Sequence, residues 1–283
     1  MRAVLKWLAI GLVALGLGLG LGNWLGRGDF ADQSRQGFAH LAAWQPPKST
    51  GPRSPRRLEL APPLVRAYLR RAIPAGAPRA RVVSLRQTGW FRPSPSWPRL
   101  ELEARQDWRV DAPGLVWSAK LRLLPLFWLG MIDSYIGTGA YLRGKALGLV
   151  SVLGQEGRPA KQRLLLRYLA EAPLFPSALV PGPHLVWEAL GRGAARAVLT
   201  YQGMRACGVF YFNRQGYPSL FVTRQRTRDL GQGRRVRQSW TLTYRHYQDF
   251  AGWRLPTRIS AAWRPPEGPF VYAEFSVSQL TRR

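Results

Sequence analysis

The residues best suited to chemistry in this sequence are two carboxylates that lie near arginine or tyrosine. In the stretch RYLAEAPLFPSALVP, Glu171 follows Arg167 by four residues, so a helix would place both side chains on one face. In MIDSYIGTGAYLRGKALG, Asp133 and Tyr135 are two residues apart and would share a strand face. Three roles are open for these carboxylates: an ion pair with arginine, polar contact to a bound ligand, or general acid–base catalysis.

Glu171 stands near the C-terminus of a predicted helix, which Pro173 ends. A carboxylate at this position opposes the helix dipole, so we expect a compensating arginine from another element. Arg224, in the strand-like stretch LFVTRQR, is one candidate. The ion pair is therefore our first interpretation of Glu171, and for Asp133 we expect hydrogen bonding at a bend of the sheet.

The segment that follows this helix is apolar and is bracketed by prolines. Phe175 and Leu179 need an apolar surface, either as a plug beside a sheet or as the lip of a cavity. If there is a cavity, the helix at 159–172 and the loop at 173–181 would form its lid. The wall would come from tryptophans on strand faces, namely Trp117, Trp240 and Trp263.

Motifs of standard catalytic and metal-binding chemistry are absent from the sequence. It has no phosphate-binding loop, no H-E-x-x-H and no G-x-S-x-G. Its three histidines, at positions 40, 184 and 246, lie far apart, and the single cysteine, Cys207, permits neither an internal disulfide nor a Cys-based zinc site. We therefore expect no metal and no cofactor, and we lean against an enzyme.

The net charge of +27 comes overwhelmingly from arginine. Two interpretations are open: a surface that attracts anions such as phospholipid headgroups, or an Arg-rich base composition spread over an ordinary surface. The arginines are scattered rather than clustered, and the sequence lacks the signature of an RNA-binding sheet or a basic recognition helix. We expect no specific binding of nucleic acid.

The amino terminus carries the strongest signal for location. Residues 7–25 are uncharged, and these 19 residues would rise about 28 Å as a helix, close to the thickness of a bilayer core. Arg2 and Lys6 precede them, whereas basic and acidic residues are mixed after them, so the amino terminus should lie in the cytoplasm and the body outside it. The cleavage site is poor, so we predict an uncleaved anchor rather than a signal peptide.

The predicted domain organisation has three parts: a membrane anchor at 1–28, a juxtamembrane linker at 29–57 and a β-rich domain at 58–283. The Pro-rich, basic stretch AWQPPKSTGPRSPRR indicates that the linker is extended and acts as a tether. The apolar residues between 38 and 44 are expected to form a short amphipathic turn on the bilayer.

The body should be mostly antiparallel sheet. Two helices are predicted, in APPLVRAYLRRAI and PAKQRLLLRYLAEA, each with proline in its first turn. Elsewhere apolar and polar residues alternate, as in RLELEARQDWRV, and turn residues cluster around Gly216, Gly252 and Gly268. The predicted fold is a β-rich α+β domain: an antiparallel meander that forms a curved sheet or open half-barrel packed on two helices, preceded by one transmembrane helix.

The stretches DSYIGTGAYLRGKALG, RYLAEAPLFPSALVP, VWEAL and GWRLPTRI together resemble a family of bacterial domains of unknown function, many with a membrane span in front. The resemblance covers roughly residues 58–283, and the RYLAE-x-x-x-FP-x-AL string is its most specific part. Together with the charge pattern at the amino terminus, it leads us to expect a single-pass protein of the bacterial inner membrane whose body lies on the extracytoplasmic side. More distantly, the hairpins and the helix against a meander resemble lipoprotein-carrier half-barrels, which hold acyl chains in an apolar concavity.

Three functions from different classes compete. The first is a membrane-anchored binding module for a lipid or other amphiphile in an apolar concavity, with Arg167, Arg224 and Tyr135 near an anionic headgroup. The second is an envelope hydrolase in which Glu171 and Asp133 form an acid–base pair, which burial of either against arginine would exclude. The third is a structural or assembly protein with a filled core and a basic surface. We favour the binding module and predict no oligomeric state.

Overall fold

Antiparallel strands account for most of the chain that the computed structural model describes. Those of the first half are β1 (Val82–Phe91), β2 (Leu100–Arg109), β3 (Gly114–Leu124), β4 (Phe127–Ile136), β5 (Gly139–Ala146) and β6 (Val150–Glu156). Those of the second half are β7 (Leu185–Ala189), β8 (Ala194–Tyr201), β9 (Met204–Phe212), β10 (Pro218–Asp229), β11 (Arg235–Phe250), β12 (Trp253–Arg264) and β13 (Phe270–Arg282).

The structure describes residues 2–47, 55–74, 76, 80–124, 127–230, 234–250 and 252–283, and for 2–17, 19, 55 and 56 it describes the backbone alone. The described helices are α1 (Arg2–Ala43), α2 (Pro63–Ala72) and α3 (Gly157–Glu171). Short 3-10 turns follow at Pro55–Leu60, Ala172–Leu174 and Pro176–Leu179. Helices α2 and α3 confirm the two helices predicted for the body.

All thirteen strands belong to one sheet, in the order β6-β5-β4-β3-β2-β1-β13-β12-β11-β10-β9-β8-β7. It consists of two meanders, β1 to β6 and β7 to β13, joined where β1 pairs with β13. Strands β6 and β7 are the free edges, so the sheet is open, and each described pairing is antiparallel. The predicted open antiparallel sheet is confirmed.

The sheet curves around α3. This helix contacts β5 in the first meander and β9 in the second, which only a curved sheet allows. Its leucines Leu164, Leu165 and Leu169 are fully buried in a core that continues through both meanders. The face that holds α3 is called the concave face below.

Helix α1 packs on the opposite, outer face of the first meander. Phe38 and Leu41 are buried against Val116 of β3, and Ser34 hydrogen-bonds to Ser118 at 2.7 Å. Nearer the start of the helix, Phe30 packs edge-on to Trp128 of β4 with ring centroids 5.5 Å apart. Strand β3 is therefore buried on both faces.

This arrangement differs from the expected tether over 29–57. The helix continues to residue 43, because apolar side chains at 30, 38 and 41 fall on the side that faces β3 and β4. The amphipathic turn expected on the bilayer is wrong, since Phe38 and Leu41 contact protein instead. Residues 48–54 of the Pro-rich stretch lie outside the described residues.

Among the described residues, no helix is both long enough and apolar enough to cross a membrane. The span predicted at 7–25 includes residues 7–17 and 19, whose side chains lie outside the described set. The structure gives this span no support, and it stays a prediction.

Candidate functional site

Two arginines lie on the concave face in different chemical surroundings. Arg167 comes from α3, and Arg226 comes from β10. The side chains that contact Arg167 come from α3 and the first meander, and those that contact Arg226 come from the second meander.

Arg167 is saturated with acceptors. Its Nε donates to Glu171 Oε1 at 2.8 Å, and its Nη1 donates to Asp133 Oδ2 at 2.6 Å. Its Nη2 donates to Gln106 Oε1 at 3.2 Å, and its guanidinium carbon lies 4.5 Å from the centre of the Trp117 ring. One cation is thus held by two carboxylates, an amide and an aromatic face.

The network around Arg167 continues through two buried glutamines. Gln106 Nε2 donates to Glu171 Oε2 at 2.6 Å, and Gln87 Nε2 donates to Gln106 Oε1 at 3.2 Å. The indole of Trp117 donates to Gln87 Oε1 at 3.0 Å. This chain of bonds ties α3 to β1, β2, β3 and β4, and we call it the Arg167 network.

The carboxylates of this network are structural. Glu171 is 3% exposed and Asp133 is 5% exposed, and each is bound to Arg167. Burial acts to lower the pKa of Arg167, but the charges of Glu171 and Asp133 outweigh it, so the pKa is raised. A carboxylate held in this way has no access to a substrate, so the acid–base pair is not supported.

Arg226 has almost no polar partners although it is only 7% exposed. Its Nη1 makes one long bond to Tyr272 Oη, at 3.4 Å, and its Nε has no partner among the described residues. The guanidinium carbon lies 4.0 Å from the ring centre of Trp240 and 5.4 Å from that of Trp263. No described carboxylate forms an ion pair with it.

The aromatic residues around Arg226 also contact one another. Trp240 Nε1 donates to Tyr272 Oη at 3.0 Å, and the rings of Trp263 and Tyr272 stack with centroids 6.1 Å apart. Half-buried Arg228 lies 5.2 Å from the centre of the Phe270 ring. We call Arg226, Trp240, Trp263 and Tyr272 the Arg226 cluster, and its outer boundary reaches the surface at Tyr272.

Burial lowers the pKa of Arg226 to about 10, with further lowering by Arg163 and Arg167 and opposing effects of Tyr272 and Asp133. Arg226 is therefore still a cation at neutral pH, and it is a cation that the fold holds at a cost. An anion bound against the Arg226 guanidinium would offset this free-energy cost.

A bulge in β10 brings Arg226 to the concave face. The register with β11 shifts between Thr223 and Arg226, and residues 224 and 225 are both exposed. Arg224, expected to compensate Glu171, therefore points to solvent and takes no part in either cluster. The correct partners of Glu171 are Arg167 and Gln106.

The apolar segment after α3 is a plug. Phe175 and Leu179 are fully buried, with Phe175 stacked on Trp108 at 4.8 Å between centroids. The indole of Trp187 donates to the Leu179 carbonyl at 2.9 Å. Of the two alternatives open for this segment, the structure favours the plug over the cavity lip.

Tyr135 is fully buried, and its ring packs edge-on to Tyr201 with centroids 6.3 Å apart. Burial raises the pKa of Tyr135, and its hydroxyl has no hydrogen-bond partner among the described residues. Within the same described ranges, no group of three or more His, Cys, Asp or Glu side chains is arranged to hold a metal ion.

Residues 52–275 of the sequence match a family of unknown function, DUF6544. The chain belongs to this family. The match confirms the resemblance to a family of unknown function that the RYLAE string indicated. No curated protein sequence matches the chain significantly.

Several solved structures are similar to this member of DUF6544. One is a LolA superfamily protein from Nitrosomonas europaea, with 10% identity, coverage of 78% of this chain and 92% of that chain, and a TM-score of 0.42. Another, from Vibrio parahaemolyticus, is described as an outer membrane lipoprotein-sorting protein domain, with 12% identity, 80% and 92% coverage and a TM-score of 0.40. A DUF1329 family protein from Desulfovibrio piger has 10% identity, 80% and 92% coverage and a TM-score of 0.42.

The first two structures are of the lipoprotein-carrier type that the sequence distantly resembles. At this identity and TM-score, the likeness carries no argument about a ligand. The chemistry of the site must come from its own residues.

Proposed function

We propose that this protein is a membrane-anchored module that binds an anionic amphiphile, with the headgroup at Arg226 and the apolar part against Trp240 and Trp263. The observation that carries the proposal is a buried arginine without a carboxylate partner. The site differs from the one expected from sequence, because the plug residues and the Arg167 network are excluded from it.

Burial of Arg226 without an anionic partner costs free energy. A cation taken out of water loses its hydration, and it is normally compensated by an ion pair and by hydrogen bonds. Here the compensation is two aromatic faces and one bond to Tyr272. Its unpartnered Nε is a free donor for a carboxylate or phosphate oxygen.

The aromatic residues suit the apolar part of such a ligand. The indole rings of Trp240 and Trp263 lie beside the cation, and Phe91 extends the apolar surface by packing edge-on to Tyr272. Phe270 lies beside Arg228. Phe91, Phe270 and Tyr272 are only half-buried, so the aromatic side of the cluster borders the surface. A polar head and an apolar tail would thus meet matching groups within one small region.

The membrane anchoring is supported by the sequence alone, through the uncharged residues 7–25 and the basic residues before them. Together with the bacterial family resemblance, this supports an inner-membrane location with the body outside the cytoplasm. An amphiphile of the envelope would then be available close to the site.

Native mass spectrometry of the full chain, released from micelles of an uncharged detergent, tests the proposal. We expect one anionic amphiphile bound per chain, either carried through purification or taken up from added octanoate or octyl phosphate. Arg226→Met should lose it, and Arg224→Met, which removes an exposed charge two residues away on the same strand, should retain it. A wild-type chain that binds no anionic amphiphile under either condition would overturn the proposal.

One observation favours a second candidate, an assembly or structural protein. The main hydrophobic core runs without interruption from α2 through α3 into both meanders, so the concave face is largely filled. In that case Arg226 would be satisfied by a partner protein instead of a small ligand. The same experiment separates the two, because a structural protein would bind no amphiphile with either variant.

A further inference from the structure

One end of the sheet carries a group of exposed apolar side chains around the start of the docked part of α1. The turn from β3 to β4 exposes Leu123, Leu124 and Phe127, and the turn from β5 to β6 exposes Leu149, Val150 and Val152. Helix α1 exposes Leu21, Trp24 and Leu25. Those three helix residues belong to the uncharged segment 7–25, and we call the six residues of the two turns the apolar rim.

The strand register places both turns at the same end. Leu129 of β4 pairs with Ala146 of β5, and Leu124 pairs with Phe127, so the two hairpin tips are neighbours. Exposed apolar side chains are unremarkable when scattered, but a contiguous group marks a contact surface. Leu124 is 62% exposed and Val150 is 64% exposed, which leaves most of their apolar area in water.

Helix α1 is fixed against this end by contact between backbones. A β-carbon on Gly26 would overlap the carbonyl oxygen of Leu147, and one on Gly148 would overlap the carbonyl oxygen of Gly26. Leu147 and Gly148 both have positive φ, of 52° and 75°, and the amide of Leu149 donates to the carbonyl of Ala146 at 3.0 Å, which closes a tight turn. The close approach of Gly26 to this turn sets where the helix leaves the sheet.

The direction of α1 identifies what lies beyond the rim. Its later residues contact the opposite end of β3, where Leu41 and Trp44 approach Gly114, so its earlier residues project past the rim. The uncharged segment 7–25 is therefore the part of the helix that extends from this end of the sheet. The uncharged helix segment and the apolar rim therefore lie at the same end of the sheet.

Exposed arginines lie at the same end of the sheet as the rim. The hairpin of β10 and β11, with β11 five strands from β3 in the sheet order, ends there and exposes Arg234, Arg235 and Arg237, of which Arg235 is paired with Asp229 at 3.5 Å. Arg99, before β2, is also exposed at this end. In an anionic bilayer, acyl chains lie beneath negative headgroups. The apolar hairpin tips could contact the acyl chains while the arginines at the same end contact the headgroups.

We infer that the apolar rim inserts into the surface of an anionic phospholipid bilayer beside the anchor helix. The protein would then touch the membrane at two places, and the body would have a fixed orientation rather than hang from a flexible tether. The inference rests on the anchoring part of the proposed function and does not depend on a ligand at Arg226.

The orientation has a consequence for the Arg226 cluster. Trp263 pairs with Phe270, and Arg226 lies opposite Gln238, close to the hairpin tip at this same end. The cluster would thus lie near the headgroup region, where an amphiphile could move between bilayer and protein over a short path.

The test uses the full chain in a Cys207→Ala background, reconstituted into vesicles of phosphatidylcholine and phosphatidylglycerol. An environment-sensitive fluorophore is attached in separate variants at Leu124→Cys, at Val150→Cys, and at Leu190→Cys as the control. Leu190 is exposed and lies in the turn between β7 and β8, at the opposite end of the sheet. All three positions are exposed, so labelling should leave the fold intact, which circular dichroism checks.

We expect the two rim probes to be quenched several-fold more strongly by lipid-borne nitroxide than the control probe, and to be shielded from aqueous iodide. Rim probes that remain open to iodide in vesicle-bound protein would overturn the inference and leave the anchor standing. Probes shielded from both quenchers would overturn it too, since a second copy or another protein would then cover the rim. A chain that fails to float with vesicles contradicts both rim and anchor, whereas the ligand assay at Arg226 is unaffected.

Discussion

Arg167 and Arg226 are two buried cations on one concave face, and they differ in what neutralises them. Arg167 has Glu171 and Asp133 within hydrogen-bonding distance, and its surroundings raise its pKa. Arg226 has aromatic rings and one long bond, and its surroundings lower its pKa to about 10. All three nitrogens of Arg167 donate to protein acceptors, whereas Nε of Arg226 has no partner among the described residues.

The difference teaches how a buried charge can be assigned to stability or to binding. A paired cation contributes to the fold mainly by neutralising its partners, so its loss leaves charges stranded. An unpaired cation is a cost to the unliganded fold and a source of affinity for an anion. Removal of Arg167 should therefore lower the stability of the fold. Removal of Arg226 should weaken anion binding without lowering stability.

The largest effect is expected from Arg167→Met. It strands two buried carboxylates and should lower the free energy of unfolding by about 3–5 kcal/mol, measured by urea denaturation. Arg163→Met, on the same helix but outside the network, should cost less than about 1 kcal/mol. Adding Asp133→Asn and Glu171→Gln to Arg167→Met should recover part of the loss. A loss for Arg167→Met as small as that of the control would show that the network is not structural.

Next in size is the effect of Arg226→Met on ligand affinity. Loss of a charge-assisted contact should weaken octanoate or octyl phosphate binding about 10- to 100-fold, measured by calorimetry with the full chain in an uncharged detergent. The unliganded variant should be at least as stable as the wild type, because it no longer buries a charge. Arg224→Met should leave affinity unchanged. If Arg226→Met were less stable than the wild type and bound the ligand equally well, Arg226 would have a structural role instead of a binding role.

The two arginines should also differ in how stability depends on pH. The pKa of Arg226 is lower in the folded protein than the ordinary value for arginine, so above about pH 10 the unfolded state binds more protons. The cost of Arg226 is fully present below that pH and is relieved as pH rises through it, by at most about 1.4 kcal/mol per pH unit. The pKa of Arg167 is raised, so its contribution is present at lower pH and is lost only as pH rises through that higher value.

Unfolding free energies of the wild type and Arg226→Met, compared from neutral pH to above about pH 10, check this sign. The free energy of unfolding of the wild type should rise relative to that of the variant as pH rises. Subtracting one free energy from the other removes the contribution of the tyrosines and lysines, which titrate in both proteins. A difference that is flat with pH would mean that Arg226 is as well neutralised as Arg167.

The smallest effect is expected from Tyr272→Phe. The change removes the acceptor shared by Arg226 and Trp240, and leaves the ring that stacks on Trp263. We expect a loss of about 1 kcal/mol in unfolding free energy, together with a shift in tryptophan fluorescence. Tyr211→Phe, at an exposed tyrosine of β9, is the matched control and should show neither change.

Much of the fold could be predicted from local pattern. The alternation in RLELEARQDWRV correctly separates buried Leu100 and Leu102 from exposed Glu101, and the prolines correctly mark the starts of α2 and α3. The pair Arg167 and Glu171 followed from helical spacing alone. Which element supplied the third charge could not be predicted, because it depends on how the sheet curves over α3.

The Arg226 site was missed for a physical reason. With period-two alternation, Arg224 and Arg226 would share a face, and neither glycine nor proline marks the bulge that separates them. The sequence did contain a signal for Gln106. It is a polar residue that alternates with Leu102 and Trp108 on the strand face predicted to be apolar. Such a residue indicates a buried partner, which proves to be Glu171.

The docking of α1 was missed because its charged and glycine residues resemble a linker. Phe30, Ser34, Phe38 and Leu41 recur at helical spacing and could have indicated a buried side. The surface they cover, on the outer side of β3, carries Val116 and Ser118 within a stretch whose two faces are both buried. A strand that is apolar on both faces is typical of a sheet covered on both sides, and here α1 forms the second covering layer.

The central claim is that Arg226 selects an anionic head, and a headgroup series tests it most directly. Octanoate, octyl phosphate and octanol present the same apolar chain with different heads, and calorimetry with the full chain compares their affinities. We predict that both anions bind and octanol does not, and that Arg226→Met removes the difference while Arg224→Met keeps it. Equal affinity for octanol and the anions in the wild type would contradict the account.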